Sequence, residues 1–197
     1  MSSSPLMDLV RARSSVRRFD PRPVDDADIL SIMEAARLAP SAENSQPWRF
    51  VVVKDPGARE RLFREAFSGI HAYSRRIVAP VYIALCVQPG IVERAARVAQ
   101  GVSYAQLDCG IAGEHLILRA AELGLGTCWI GWFDRRRARK TLGIPARATV
   151  VSLIALGHPA EGTAQRPRMR KPLSSMVSLD AWGREYPGAG AQGNSEK

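Results

Sequence analysis

Three arginines and two serines are concentrated in residues 13 to 18, close to the end of a predicted short helix. Arginine donates charge-assisted hydrogen bonds as a fork, and a serine hydroxyl is a short additional donor, so this set suits a phosphate group. A solvated basic turn would have the same composition, and the residues alone leave both interpretations open. The members of this cluster are Arg13, Ser14, Ser15, Arg17 and Arg18.

A second basic cluster lies near the C-terminus, where arginines alternate with other residues. Side chains two positions apart face the same side of an extended segment, so Arg166, Arg168 and Arg170 could converge on one anion. The alternative is a charged edge beside the tail.

A polar loop is predicted between a helix that ends at Pro40 and a strand that follows Pro47. Loops that carry many hydrogen-bonding groups between two rigid elements are common ligand sites. The loop reads APSAENSQPW over residues 39–48.

A glycine-rich segment, GLGTCWIGWF, covers residues 124–133. It is not the dinucleotide-binding fingerprint, because no G-x-G-x-x-G follows a strand and opens a helix here. We expect Gly131, at the end of a strand, to let a flat ligand lie against bare backbone and meet its N–H groups, with Ile130 beside it.

Four motifs together resemble the nitroreductase family. They are R-x-S-x-R-x-F at residues 13–19, P-S-x-x-N-x-Q-P-W at 40–48, G-L-G-T-C-W-I-G at 124–131 and R-x-R-K-P-L at 168–173. They occur in the family's order over about residues 9–173, which is most of the chain. The resemblance implies a nitroreductase-like fold, a homodimer and an FMN at each of two sites in the subunit interface.

The resemblance also implies roles for the candidate residues. Arg13, Ser14, Ser15 and Arg17 match residues that bind the flavin phosphate, ribityl chain and pyrimidine edge. The C-terminal pair Arg168 and Arg170 would close on the phosphate, and Ile130 and Gly131 would lie beside flavin N5 and O4. The loop residues would reach the flavin, some of them from the partner subunit; they are Pro40, Ser41, Ala42, Asn44 and Gln46.

The activity implied by the resemblance is FMN-dependent oxidation of NADH or NADPH. Hydride would pass to flavin N5, and a nitroaromatic, quinone or similar acceptor would then be reduced in a ping-pong mechanism. The flavin carries this chemistry, so no catalytic side chain is expected. The alternative within the family is a specialised flavin enzyme that fragments flavin, dehalogenates or dehydrogenates. The spans 67–76 and 90–100, where such enzymes carry insertions, are short here.

The hydrophobic pattern predicts an α+β sandwich in which a modest sheet is flanked by helices. The resemblance implies a three-layer sandwich with a mostly antiparallel central sheet and a domain-entwined homodimer. The predicted strands cover residues 48–54, 80–87, 127–133 and 149–156, and the predicted helices cover 7–13, 25–39, 56–67, 102–123 and 135–142. The helix over 102–123 is apolar or small on nearly every side, so it must be covered all round. Small residues such as Ala112 would admit a neighbouring helix, and a second copy of the chain could supply part of the cover.

Composition limits the remaining possibilities. The chain has 197 residues and a formal net charge of +9, which favours an anionic ligand or surface. A basic helix at residues 135–140 raises nucleic-acid binding as an alternative, but no helix-turn-helix or aromatic platform accompanies it, so no nucleic-acid partner is expected. Three cysteines without metal-ligand spacing favour a reducing cytoplasm and no metal site. Without a long apolar run, no membrane partner is expected. We predict one domain over residues 1–186 and a disordered tail over 187–197.

Overall fold

The structure, a computed structural model, describes residues 4–90, 99, 101–163 and 169–192. Within these residues every predicted helix and strand is present, although the strand expected over 127–133 ends three residues earlier. The helices are α1 (Pro5–Ala12), α2 (Asp26–Arg37), α3 (Pro56–Ala66), α4 (Tyr104–Glu122) and α5 (Arg135–Thr141); the strands are β1 (Trp48–Val53), β2 (Val81–Val87), β3 (Gly126–Ile130) and β4 (Thr149–Gly157).

The four strands form one antiparallel sheet in the order β1-β2-β4-β3. All seven residues of β2 are buried, because helices cover both faces of the sheet. Alternate side chains of a strand point to opposite faces. Accordingly Tyr82 and Ala84 pack in a core with α3 and α5, whereas Val81 and Ile83 pack in a second core with α2 and α4. The α+β fold with a central antiparallel sheet is confirmed.

The central helix α4 is buried against its own sheet. Ala112 is completely buried, and Gly113 lies so close to Trp129 that an added Cβ would be 2.3 Å from the indole ring. The neighbouring helix is α2, where Ser31 accepts a hydrogen bond of 2.9 Å from Arg119. A second copy of the chain therefore does not cover Ala112, since that face is filled by the chain itself. The side that stays exposed carries Leu107.

The chain divides into two compact units, residues 1–163 and 164–197. In the second unit a short 3-10 helix spans Leu173–Ser175, an antiparallel bridge joins Ser178 to Glu185, and Ala189 is buried. The single domain over residues 1–186 and the tail beyond it stay predictions. Across the described part of the chain, the helices are too short or too polar to cross a membrane.

Candidate functional site

The phosphate-type cluster is anchored along β3. After α1 the chain becomes extended, Ser15 forms a parallel bridge with Thr127, and Val16 N–H donates to the Thr127 carbonyl at 2.9 Å. Gly126 makes this approach possible, because a Cβ there would lie 2.7 Å from the Val16 side chain. Val16 is buried while Ser15 and Arg17 are exposed, so the anchored segment presents its polar side chains outwards.

Two arginines from distant parts of the sequence lie near the same thiol of β3. Burial raises the pKa of Cys128, and the positive charges of Arg17 and Arg76 oppose that rise. The Arg76 guanidinium is stacked on the Tyr73 ring, 3.6 Å from its centroid. Both side chains are exposed, so they bring positive charge to the solvent-facing side of this strand.

The end of β3 is open. Gly131 is exposed, and a Cβ added there would meet no atom within 4 Å. Arg135, at the start of α5, reaches back to the Gly131 carbonyl, with its Nη2 at 3.5 Å. The next residue, Trp132, is held by two hydrogen bonds to the 3-10 helix Gly69–Arg76. Trp132 Nε1 donates to the Ile70 carbonyl at 2.9 Å, and Ser74 Oγ donates to the Trp132 carbonyl at 2.7 Å. The backbone of Gly131 is therefore held in a defined position and has open space beside it.

The polar loop before β1 has an unusual backbone. Glu43, Asn44 and Gln46 have positive φ angles of 51°, 54° and 46°. Asparagine tolerates this left-handed region, but glutamate and glutamine adopt it at a cost. Such strain concentrates at ligand-binding loops that the surrounding structure holds in place. Here the Ser41 hydroxyl accepts from the Gln46 N–H at 3.0 Å.

A buried carboxylate forms hydrogen bonds with the backbone of the same loop. Asp108 of α4 accepts from the Ala42 N–H, with both carboxylate oxygens at 3.3 Å. Gln46 Nε2 donates to Asn44 Oδ1 at 2.9 Å, which ties together two of the candidate binding residues. All five candidate residues of the loop are partly or fully exposed: Pro40, Ser41, Ala42, Asn44 and Gln46.

One chain does not bring the loop and the β3 residues together. The loop precedes β1, and β1 and β3 are opposite edges of the sheet. Three strand spacings of about 4.8 Å separate these edges, roughly 14 Å in all. The two groups are also offset along the strands. Trp48 at the start of β1 is level with Thr149 of β4, because both pair with Val87 of β2, whereas Ile130 pairs with Leu153, four residues farther along β4. The site residues therefore form two groups in the single chain.

The C-terminal basic pair belongs to the second unit. Arg170 is exposed and its Nη1 lies 3.4 Å from the Met169 carbonyl. Arg168 lies outside the described residues, as does Arg166. The joint action of Arg168 and Arg170 on a phosphate stays a prediction.

Comparison with known proteins identifies the family. The profile described as "Nitroreductase family" matches residues 10–158. This chain belongs to the nitroreductase family. It is 34% identical over 188 residues to a protein of Thermus thermophilus named "NADH dehydrogenase", covering 84% of this chain and 91% of that protein. It is 27% identical to the "NADPH-flavin oxidoreductase" of Vibrio harveyi, covering 83% of this chain and 69% of the relative.

Solved structures agree with this assignment of the fold. The nitroreductase family protein of Streptococcus pneumoniae TIGR4 superposes with a TM-score of 0.75 at 27% identity, covering 88% of this chain and 99% of that one. The nitroreductase-like fold is therefore confirmed, and membership of this family makes the protein an oxidoreductase that is related to NAD(P)H-dependent enzymes.

Two arginines near β3 were not among the predicted candidate residues. Arg76 lies in a span with no predicted helix or strand, and its position near Cys128 depends on a long-range contact that no local pattern reveals. Arg135 was grouped with a basic helix surface. Its distance of only four residues from Gly131 was the available signal that it returns to the end of β3.

Proposed function

We propose that this nitroreductase family member is an FMN-dependent NAD(P)H oxidoreductase that reduces nitroaromatic, quinone or similar acceptors. The observation that carries the proposal is the arrangement along β3. A phosphate-type segment is anchored at the start of the strand, and exposed bare backbone at Gly131 lies at its other end. A ligand with a phosphate at one end and a flat ring at the other fits that arrangement.

The chain's own residues suit FMN chemically. Arg13, Ser14 and Ser15 offer charge-assisted and hydroxyl hydrogen bonds to a phosphate and a ribityl chain. Arg17 offers positive charge to the pyrimidine edge, where a reduced flavin is anionic. The backbone of Ile130 and Gly131 is accessible to a ring, and Arg170 together with Arg168 would complete the phosphate contacts from the C-terminal region.

Bound FMN would supply the two-electron chemistry between a nicotinamide donor and the acceptor. For a nitro compound the overall reaction is NAD(P)H + H⁺ + R–NO₂ → NAD(P)⁺ + R–NO + H₂O. Donor and acceptor would occupy the same slot in turn, which would give ping-pong kinetics. The protein's part is to bind, orient and tune the cofactor, with no side-chain nucleophile or base.

The complete site requires two subunits. Pro40, Ser41, Ala42, Asn44 and Gln46 would contact a flavin held on β3 of a partner subunit, because within one chain they lie at the opposite edge of the sheet. Exposed apolar residues on α2 and α4 suit such an interface: Leu30 is 69% exposed and Leu107 is 57% exposed. The three free cysteines fit a reducing compartment, the cytoplasm.

The visible absorption spectrum of the purified protein, taken before and after anaerobic NADPH, tests the proposal. We expect a flavin band that bleaches on reduction and returns when a nitroaromatic or quinone is added. A protein that stays colourless even after incubation with FMN would refute the cofactor. A yellow protein that NADPH and NADH both fail to bleach would refute the donor.

A matched pair of arginine variants sharpens the test. Arg17→Ala removes a charge-assisted contact to the flavin, which typically contributes roughly 1.5–3 kcal/mol, so FMN affinity should fall roughly tenfold to over a hundredfold. The control is Arg22→Ala, because Arg22 is an exposed arginine outside the cluster at residues 13–18, where its backbone N–H donates to Asp20 at 2.8 Å. Equal affinities for the two variants in a flavin titration would refute the role of Arg17.

A further inference from the structure

Two arginines besides Arg17 bring positive charge to the middle and the open end of β3. Arg17 and Arg76 both act on Cys128, and Arg135 reaches the Gly131 carbonyl. Within the part of the chain that the structure describes, none of these three arginines has a carboxylate at ion-pair distance. If Arg17 serves the flavin, Arg76 and Arg135 remain as unneutralised cations beside the exposed backbone.

Carboxylates in the neighbourhood are already paired with other arginines. Asp134 accepts from the backbone N–H of Arg137 at 2.9 Å, and this bond holds its pKa below the usual value. Glu65 lies 3.3 Å from Arg64 and 3.7 Å from Arg137. The local excess of positive charge is therefore not cancelled by the nearest acids.

Aromatic and apolar side chains accompany these cations. Tyr73 is 65% exposed and carries Arg76 on its ring, Trp132 is 56% exposed, and Ile70 is 77% exposed on the 3-10 helix that supports Trp132. Arg135 lies over the Phe133 ring, 5.3 Å from its centroid. A guanidinium held by stacking on a ring is pre-organised for a carboxylate. Exposed rings of this kind suit a flat aromatic ligand.

We propose that the acceptor at the end of β3 is an aromatic compound that carries an anionic group, and that Arg135 and Arg76 recognise this anion. The inference rests on the proposed function, because the acceptor occupies the same slot as the nicotinamide. The acceptor ring lies against the flavin and beside the exposed aromatic side chains, and the anionic group points to the arginines. The net charge of +9 adds long-range attraction for such a substrate.

Equilibrium binding tests this inference without requiring turnover. Benzoate and benzamide have the same ring and nearly the same size but differ in charge, and their dissociation constants can be measured on the FMN-loaded protein from the shift in flavin absorption. We expect benzoate to bind more tightly at low ionic strength. In Arg135→Gln benzoate should bind about fivefold more weakly, the size of an exposed charge pair, with benzamide unchanged.

Arg136→Gln is the matched control, since Arg136 is the next residue of α5, is exposed and has no side-chain contact with Gly131. It should leave both dissociation constants unchanged. The inference is wrong if Arg135→Gln weakens benzoate and benzamide equally, or if it changes neither. Failure of the proposed function looks different, as absence of bound FMN or of its reduction by NADPH.

The phosphates of the nicotinamide donor are the other source of negative charge at this slot. Ping-pong kinetics give kcat/KM separately for donor and acceptor, so each half-reaction of Arg135→Gln can be compared with the parent enzyme. We expect the acceptor ratio, 4-nitrobenzoate over 4-nitrobenzamide, to fall about fivefold and kcat/KM for NADPH and for NADH each to stay constant. A fall confined to kcat/KM for the donors would assign the arginines to the dinucleotide and overturn the inference.

Discussion

The two ends of β3 use glycine for opposite reasons. At the start of the strand, Gly126 is buried, and the Val16 side chain occupies the space that a Cβ at this position would need. Just past its end, Gly131 is exposed and borders open space. A rigidly packed end thus positions the polar segment, while the open end leaves backbone accessible. Proteins commonly position a functional surface in this way, on a scaffold whose own packing is complete.

The largest effect is expected from filling the packed end. Gly126→Ala would place a Cβ 2.7–2.9 Å from three carbon atoms of Val16, so the segment from Arg13 to Arg17 must shift. Overpacking of this kind costs about 1–3 kcal/mol of unfolding free energy. Urea denaturation followed by circular dichroism measures this loss, and FMN affinity should fall with it because the anchored arginines move.

The matched change at the open end should leave stability alone. Gly131→Ala meets no atom within 4 Å, so its unfolding free energy should stay within about 0.5 kcal/mol of the parent protein. On the proposed function, FMN affinity should nevertheless fall, because a methyl group would occupy the backbone surface that the ring would contact. Equal loss of stability in the two variants would show that the two ends of the strand do not differ as described.

A smaller effect on stability is expected in the polar loop, where Glu43, a residue other than glycine, adopts a left-handed backbone conformation. Glu43→Gly relieves the cost of φ 51° and should raise the unfolding free energy by about 0.5–1 kcal/mol. The control Glu60→Gly, within helix α3, should lower it by about 1 kcal/mol. A loss in both variants would mean that the loop stores no strain at Glu43.

Local patterns predicted the elements but not all of their surroundings. The strand β2 and the helix α4 were both found because their apolar residues are continuous and bounded by breakers. The surroundings of Ala112 could not be predicted, since a helix that is apolar all round does not reveal which face meets its own sheet. Only the strand order and register decide that question.

The candidate site likewise contains residues that the sequence predicts and a residue that it does not. The cluster at Arg13–Arg17 and the backbone at Gly131 were found from residue type and motif, and the structure aligns both with β3. Arg76 reaches this strand from a 3-10 helix more than fifty residues before it in the sequence. Contacts over such separations are set by packing, so spacing within a motif could not predict them.

Amide hydrogen exchange with and without FMN tests the central claim, that β3 carries the flavin along its length. We expect FMN to slow exchange at residues 13–17, at 130–132 and, through the partner subunit, at 41–46, with no change in the α3 segment at residues 56–66. Protection that is absent from residues 130–132 while FMN is demonstrably bound would contradict the account.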